Sequence, residues 1–200
     1  MDRTPLPIVM AITGASGAPY AVRLLSALVD AERPIWLVVS SHGLRLLRTE
    51  LDIDSIDELR RRIGVAEWRK LVTVYDDADR GAAPASGSAR TAGMVVCPCS
   101  MGTLSAISVG ASRSLVERAA DVTLKERRRL VLVPRETPLS AIHLQNMLRL
   151  SRAGAVILPA APGFYNKPQT VQELVDFIVA RVLDQLDVEH ALVRRWGSSD

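Results

Sequence analysis

Ile8-Val9-Met10-Ala11-Ile12-Thr13-Gly14-Ala15-Ser16-Gly17 sets five apolar residues directly against a turn bracketed by two glycines. An apolar run this short, without polar alternation, reads as a strand buried on both faces. Ala18, Ala21, Val22, Leu25 and Leu28 then share one helical face, so a helix follows the turn at once. Working outward, Ile35–Val39 repeats the apolar run, and residues 94–97, 130–133 and 155–158 supply three more. Helical patterns fall at residues 44–50 and 53–63, the second polar and weakly periodic. A further helix is expected to begin at Pro138 with Thr137 as its N-cap, since proline suits a first helical turn. The last helix is the clearest. Thr170 and Glu173 match a capping box, Val171, Leu174, Val175, Ile178 and Val182 form its apolar stripe, and its end falls near Asp187. Short strands alternating with helices predict a three-layer α/β fold: a doubly wound, mainly parallel sheet with helices on both faces. Residues 1–200 are expected to form one domain, with 188–200 a C-terminal tail.

Composition narrows the function classes. The chain is 48% hydrophobic and 24% charged, an ordinary globular mix. Its net charge of +3, from 25 Lys plus Arg against 22 Asp plus Glu, suits a small anion better than a nucleic acid. Aromatics at 4% leave few platforms for stacking bases. The two cysteines, Cys97 and Cys99, stand one residue apart with no further ligand nearby, which argues against zinc and against a structural disulfide. Thiols at the end of a buried strand fit a reducing cytoplasm. Residues 1–6 are short and charged, unlike a signal peptide, and no apolar run approaches the ~18 residues of a membrane span. His42, His143 and His190 lack metal-ligand spacing, so no metal is expected. His143 and Asn146 share a helix face and read as packing or interface residues.

Open parallel sheets bind ligands beyond the carboxyl ends of their strands, so the strand-to-helix junctions carry the candidate chemistry. In Thr13-Gly14-Ala15-Ser16-Gly17 the glycines admit a ligand close to the backbone, and the helix start favours an anion. The segment is neither a dinucleotide fingerprint, which needs glycine at Ser16, nor a nucleophile elbow, which needs glycine at Ala18, nor a Walker loop. A tight turn with a serine N-cap accounts for it equally well. Ser40-Ser41 lacks the acid that holds an adenosine ribose, which suits a mononucleotide rather than NAD, and a helix cap explains the pair too. Pro98-Cys99-Ser100-Met101-Gly102-Thr103 offers hydroxyls and a glycine at a helix start, or simply a serine cap. Pro134-Arg135-Glu136-Thr137 places an arginine able to grip phosphate beside a glutamate able to move protons, a better reading here than a surface ion pair. Arg118 and Lys125, seven residues apart, share a helix face; they either converge on one anion or form a solvated face. Tyr165 either reaches the crevice or packs in the core.

Taken in order, seven segments resemble the UbiX-like flavin prenyltransferases over nearly the whole chain. They are Thr-Gly-Ala-Ser-Gly (13–17), Ala-Ser-Gly-Ser (85–88), Pro-Cys-Ser-Met-Gly-Thr-Leu (98–104), Glu-Arg-Ala-Ala-Asp-Val (117–122), Leu-Lys-Glu-Arg-Arg (124–128), Leu-Val-Pro-Arg-Glu (132–136) and Leu-Pro-Ala-Ala-Pro-Gly-Phe-Tyr (158–165). The resemblance implies a Rossmann-like subunit that binds FMN at a subunit interface, usually in a homododecamer. It implies a metal-independent reaction in which reduced FMN attacks dimethylallyl phosphate, phosphate leaves and a fourth ring closes on the flavin. The product, prenylated FMN, serves UbiD-like decarboxylases of ubiquinone biosynthesis and of aromatic acids.

Carried over by position, the resemblance makes Gly14, Ala15, Ser16, Ser40, Ser100, Met101, Gly102, Thr103 and Arg135 the FMN contacts. It makes Arg118, Lys125, Tyr165 and Arg181 the prenyl-phosphate contacts, and Ser16, Glu50 and Glu136 the proton-handling set. Trp196 is expected to help close the site. Ala89 departs from the pattern, standing where relatives often carry an aromatic residue. Two other readings compete. An FMN-dependent cysteine decarboxylase of the same superfamily would show a Met-Asn-x-x-Met-Trp segment, which is absent. A non-catalytic flavin carrier would not need the second cluster of cations.

Overall fold

The computed structural model describes residues 5–193. Its sheet is built from β1 (Ile8–Ile12), β2 (Ile35–Val39), β3 (Val72–Tyr75), β4 (Gly93–Cys99), β5 (Leu130–Pro134) and β6 (Val156–Ile157). The strand order is β3-β2-β1-β4-β5-β6, and every pairing is parallel. The helices are α1 (Ala18–Asp30), α2 (Ser41–Leu51), α3 (Ile56–Ile63), α4 (Val65–Leu71), α5 (Met101–Ser108), α6 (Leu115–Lys125), α7 (Ala141–Arg152) and α8 (Val171–Gln185). No helix among the described residues is long and apolar enough to cross a membrane.

The strand side chains sort by alternation onto the two faces of the sheet. Ile8, Met10 and Ile12 of β1 join α1 and α8 in one apolar cluster, with Leu24, Leu28, Ile178 and Val182. Val9 and Ala11 join α5 and α6 in a second, with Leu104, Val116 and Ala120. This double coverage is why the strands show unbroken apolar runs. Each fully buried Ile or Leu contributes about 2 kcal/mol by leaving water.

The structure gives the expected architecture and corrects several local expectations. A sixth strand, β3, was not expected. It is an edge strand with Thr73 and Val74 exposed, and it emerges directly from α4 with no turn residue to announce it. The helix expected from Pro138 begins three residues later, at Ala141. Ser140 rather than Thr137 is its N-cap: its hydroxyl accepts the His143 N–H while His143 Nδ1 accepts the Ser140 N–H. That reciprocal pair satisfies two otherwise orphan donors, which Thr137 does not. His143 is therefore a cap, and Asn146 packs inward to accept a hydrogen bond from Ser108 at 2.9 Å. The helix expected over 44–50 starts earlier, at Ser41, because the Ser40 hydroxyl accepts the Gly43 N–H at 3.0 Å.

Candidate functional site

β1 and β4 are neighbours in space, yet β1 feeds helix α1 on one face while β4 feeds α5 on the other. The connections leaving their carboxyl ends therefore part to opposite faces, which is where doubly wound sheets form the crevice that holds their ligands. Thr13 ties the two sides of this crevice together. Its buried hydroxyl donates to the Pro98 carbonyl at 2.9 Å and accepts the Ser100 N–H at 2.9 Å. In the sequence Thr13 reads only as the start of a loop. A lone hydroxyl closing an apolar strand was the available signal.

On the α1 side the alternative of a serine N-cap is ruled out. The cap residue is Gly17, at φ 134°, and no side chain of its own serves the helix. Glu50, from the end of α2, supplies the carboxylate instead. Its Oε2 accepts the N–H of Gly17 at 3.0 Å and of Ala18 at 2.8 Å. The first donors of α1 are thus already taken by an anion built into the chain. Arg135 reaches the same turn, its Nε donating to the Ser16 carbonyl at 3.1 Å. Arg135 and Glu136 are both exposed and are not paired with each other; Glu136 accepts the N–H of Thr137. Ser16, Glu50 and Arg135 are therefore gathered around one turn, and Glu136 is the residue after Arg135.

Gly14 has a plain packing reason: a Cβ there would lie 2.5 Å from the Cβ of His42. Ala15 is buried beside it.

Ser40 caps α2 and Ser100 caps α5, where the Ser100 hydroxyl accepts the Thr103 N–H at 3.2 Å and donates to the Thr103 hydroxyl at 3.0 Å. The N–H groups of Met101 and Gly102, the first two of α5, have no carbonyl four residues back within the helix. Gly102 is exposed at the crevice. Two donors at a helix start and the remaining guanidinium nitrogens of Arg135 suit an anionic phosphate such as that of a mononucleotide. Among the described residues, no three His, Cys, Asp or Glu side chains group as metal ligands.

Within one chain the expected prenyl-phosphate residues fall in two places, on α6 and on or before α8. α6 leads into the amino end of the parallel strand β5, so Lys125, at its end, sits at the opposite edge of the sheet from the crevice. The five residues of β5, at ~3.3 Å each, separate those edges by roughly 16 Å, beyond the reach of a lysine. Lys125 lies instead against Gly87 of the small-residue loop, paired with Glu126. Arg118, further up α6, pairs with Asp121 at 2.8 Å. Arg128 holds the loop by donating to the carbonyls of Gly87 and Ala89. In the second patch Tyr165 meets Phe177 edge-on, with ring centroids 5.7 Å apart. Phe177 and Arg181, one turn apart on α8, line a groove of about 310 Å³ beside the open edge of β6. Trp196 lies outside the described residues.

The model of the Flavoprotein family matches residues 1–183. The flavin prenyltransferase UbiX of Pseudomonas aeruginosa is 50% identical over 200 residues, covering 96% of this chain and 95% of the relative. The chain belongs to the UbiX flavin prenyltransferase family. Two solved structures agree. AnUbiX in complex with FMN and dimethylallyl pyrophosphate is 42% identical and superposes with a TM-score of 0.89 over 98% of this chain and 100% of its own. A dodecameric FMN-dependent UbiX-like decarboxylase from Escherichia coli O157:H7 is 45% identical, with a TM-score of 0.88 over 96% of this chain and 100% of its own. Both share the fold described above.

Proposed function

We propose that the protein is a metal-independent flavin prenyltransferase, joining a dimethylallyl group from dimethylallyl phosphate to reduced FMN. The observation that carries this reading is the division of labour between two helix starts. The donors of α1 are occupied by Glu50, whereas the Met101 and Gly102 N–H groups of α5 have no partner within the helix, and Arg135 stands at the end of the neighbouring strand β5. FMN phosphate belongs at the second, held by Ser100, Met101, Gly102 and Thr103 with Arg135, while Gly14, Ala15, Ser16 and Ser40 line its approach. When bound, reduced FMN supplies the electron-rich ring to which the prenyl group is joined.

The chain's own residues do the rest. Arg118, Lys125 and Arg181 neutralise the departing phosphate, Tyr165 donates to it, and Glu136 protonates it. Glu50 and Ser16 move the proton released on ring closure. Because Lys125 stands at the far edge of the sheet from the crevice, the site is composite, with another copy contributing Lys125 and its loop. Leu139, Ile142, Leu144 and Leu148 expose an apolar surface on and before α7, which supports assembly into a homo-oligomer, a dodecamer as in the Escherichia coli relative. The product passes to a UbiD-like decarboxylase. Two buried free thiols support a reducing, cytoplasmic setting.

The test is anaerobic incubation with FMN, a reductant and dimethylallyl phosphate, then mass spectrometry of the released flavin. A flavin heavier by one five-carbon prenyl unit is expected, and Arg118→Ala or Lys125→Ala should abolish it while FMN binding survives. Unchanged flavin with both this donor and the pyrophosphate would favour the cysteine decarboxylase or carrier reading instead.

A further inference from the structure

Arg181 is not a loose surface arginine. Its Nη1 donates to Asp184 Oδ2 at 2.8 Å, one turn along α8. The other carboxylate oxygen of Asp184 faces His190 Nε2 at 3.2 Å. The His190 side chain is only 5% exposed, while that of Arg181 is 53% exposed. The chain after α8 turns back to deliver this histidine. Val188 N–H bonds the Leu183 carbonyl at 3.0 Å, and Leu186 and Val188 are buried in the core. Arg129 grips the same turn through Asp187. The Leu192 N–H donates to His190 Nδ1 at 3.4 Å, which leaves the proton on Nε2, pointing at Asp184. The three side chains form a line from a buried imidazole, through a half-buried carboxylate, to an exposed guanidinium.

We infer that Asp184 and His190 are positioning residues that hold Arg181 for the prenyl donor's phosphate. This rests on the reading of Arg181 as a donor contact. A guanidinium has five N–H donors in a fixed fork. With Nη1 committed to Asp184, the Nε and Nη2 edge is left to meet two phosphate oxygens in parallel. An exposed arginine on a helix otherwise samples many rotamers, and freezing them weakens any contact it makes. Asp184 freezes them in advance, and His190 keeps Asp184 from swinging to solvent. The brace also explains why an imidazole is buried just beyond the helix.

The test is a double-mutant cycle in the full-length protein, reading KM for dimethylallyl phosphate, kcat and the FMN dissociation constant. Asp184→Ala is expected to raise the donor KM about tenfold with FMN affinity unchanged, and to add nothing in an Arg181→Ala background. His190→Ala should raise KM about threefold, and His190→Gln, whose amide N–H can still reach Asp184, should restore it. Asp184→Asn keeps the shape without the charge and should fall between wild type and alanine, which guards against a variant that does not fold. If Arg181→Ala leaves KM unchanged, the reading of Arg181 fails and the brace with it. If Arg181→Ala raises KM but Asp184→Ala and Asp184→Asn do not, or if the effects add in the double variant, the brace alone is overturned. Parallel losses of FMN affinity and donor KM in the Asp184 variants would overturn it too.

Discussion

Glu50 Oε2 accepts the backbone N–H of Ala18 at 2.8 Å, so an acid from the end of one helix caps the start of another, 32 residues away in sequence. The cap does locally what a bound phosphate does in dinucleotide enzymes of similar topology. Glu50→Ala should cost about 1–2 kcal/mol, the usual worth of a lost N-cap, and lower the melting temperature by about 3–6 °C. Glu50→Gln keeps one acceptor oxygen and should recover most of that stability, while turnover still falls at least about tenfold if the charge handles a proton. Thermal melts read beside turnover separate the two effects. A glutamine variant with full activity would reduce Glu50 to a cap.

Thr13 holds the Ser100 N–H, and through it the start of α5, against β1. Thr13→Val keeps the shape and removes the hydroxyl. The Pro98 carbonyl retains the Thr13 N–H at 3.2 Å, but the Ser100 donor loses its partner, at a cost of about 1–3 kcal/mol. FMN affinity should fall with stability, and Thr13→Ser should restore both. Titrating flavin fluorescence against each variant measures it. Unaltered affinity in the valine variant would show that the clamp does not shape the FMN site.

Glu117 is buried, yet Arg113 donates to it from its backbone and from both ends of its guanidinium. Burial works to raise the Glu117 carboxyl, but the Arg113 hydrogen bonds and charge outweigh it and hold the group below its ordinary range. The folded chain therefore keeps this carboxylate more readily than the unfolded chain does. Its contribution is complete above the unfolded value of about 4.3 and is lost as pH falls through the lower folded value. Glu117→Gln should flatten that part of the acid limb in a plot of stability against pH, leaving the neutral plateau lower. An unchanged acid limb would contradict the pairing.

Cys97 and Cys99 are free and fully buried, and desolvation pushes the Cys97 thiol up to about 12 and the Cys99 thiol higher still. Only the thiolate attacks disulfide reagents. At pH 8 the native protein should give no reaction with an aromatic disulfide over an hour, and two thiols per chain after denaturation. A fast native thiol would mean that the β4 terminus opens to solvent.

Leu144 and Leu148 stand one turn apart on α7, 53% and 50% exposed. Leu144→Asp with Leu148→Asp should leave the fold intact and dissociate the assembly, since buried charge at an interface is costly. Light scattering reads the mass and the prenylation assay reads the consequence. Because Lys125 serves a neighbour's crevice in the proposed site, turnover should disappear with the assembly. Full activity in a dissociated protein would end the composite-site reading.

The layered fold was legible in β1, β2, β4 and β5 because both faces of each are covered, which writes an unbroken apolar run into the chain. β3 escaped because an edge strand keeps Thr73 and Val74 in water and carries no such run. The start of α7 was misplaced because Thr137-Pro138 and Ser140 both look like helix starts, and only the His143 side chain decides between them. Capping residues Ser40, Ser100 and Thr170 needed only their neighbours three residues on, and the sequence reveals that spacing.

By itself, then, the sequence determined which segments are strands buried on both faces, which junctions follow them, and that Ser40 and Ser100 cap helices there, because those depend on local spacing and on water leaving apolar surface. Only the tertiary structure decided who partners whom. Glu50 with Gly17, Arg135 with Ser16 across 119 residues, and Thr13 with Ser100 across 87 are hydrogen bonds of short range. Such a bond forms only after the sheet has brought its ends within about 3 Å, and no local pattern encodes that approach.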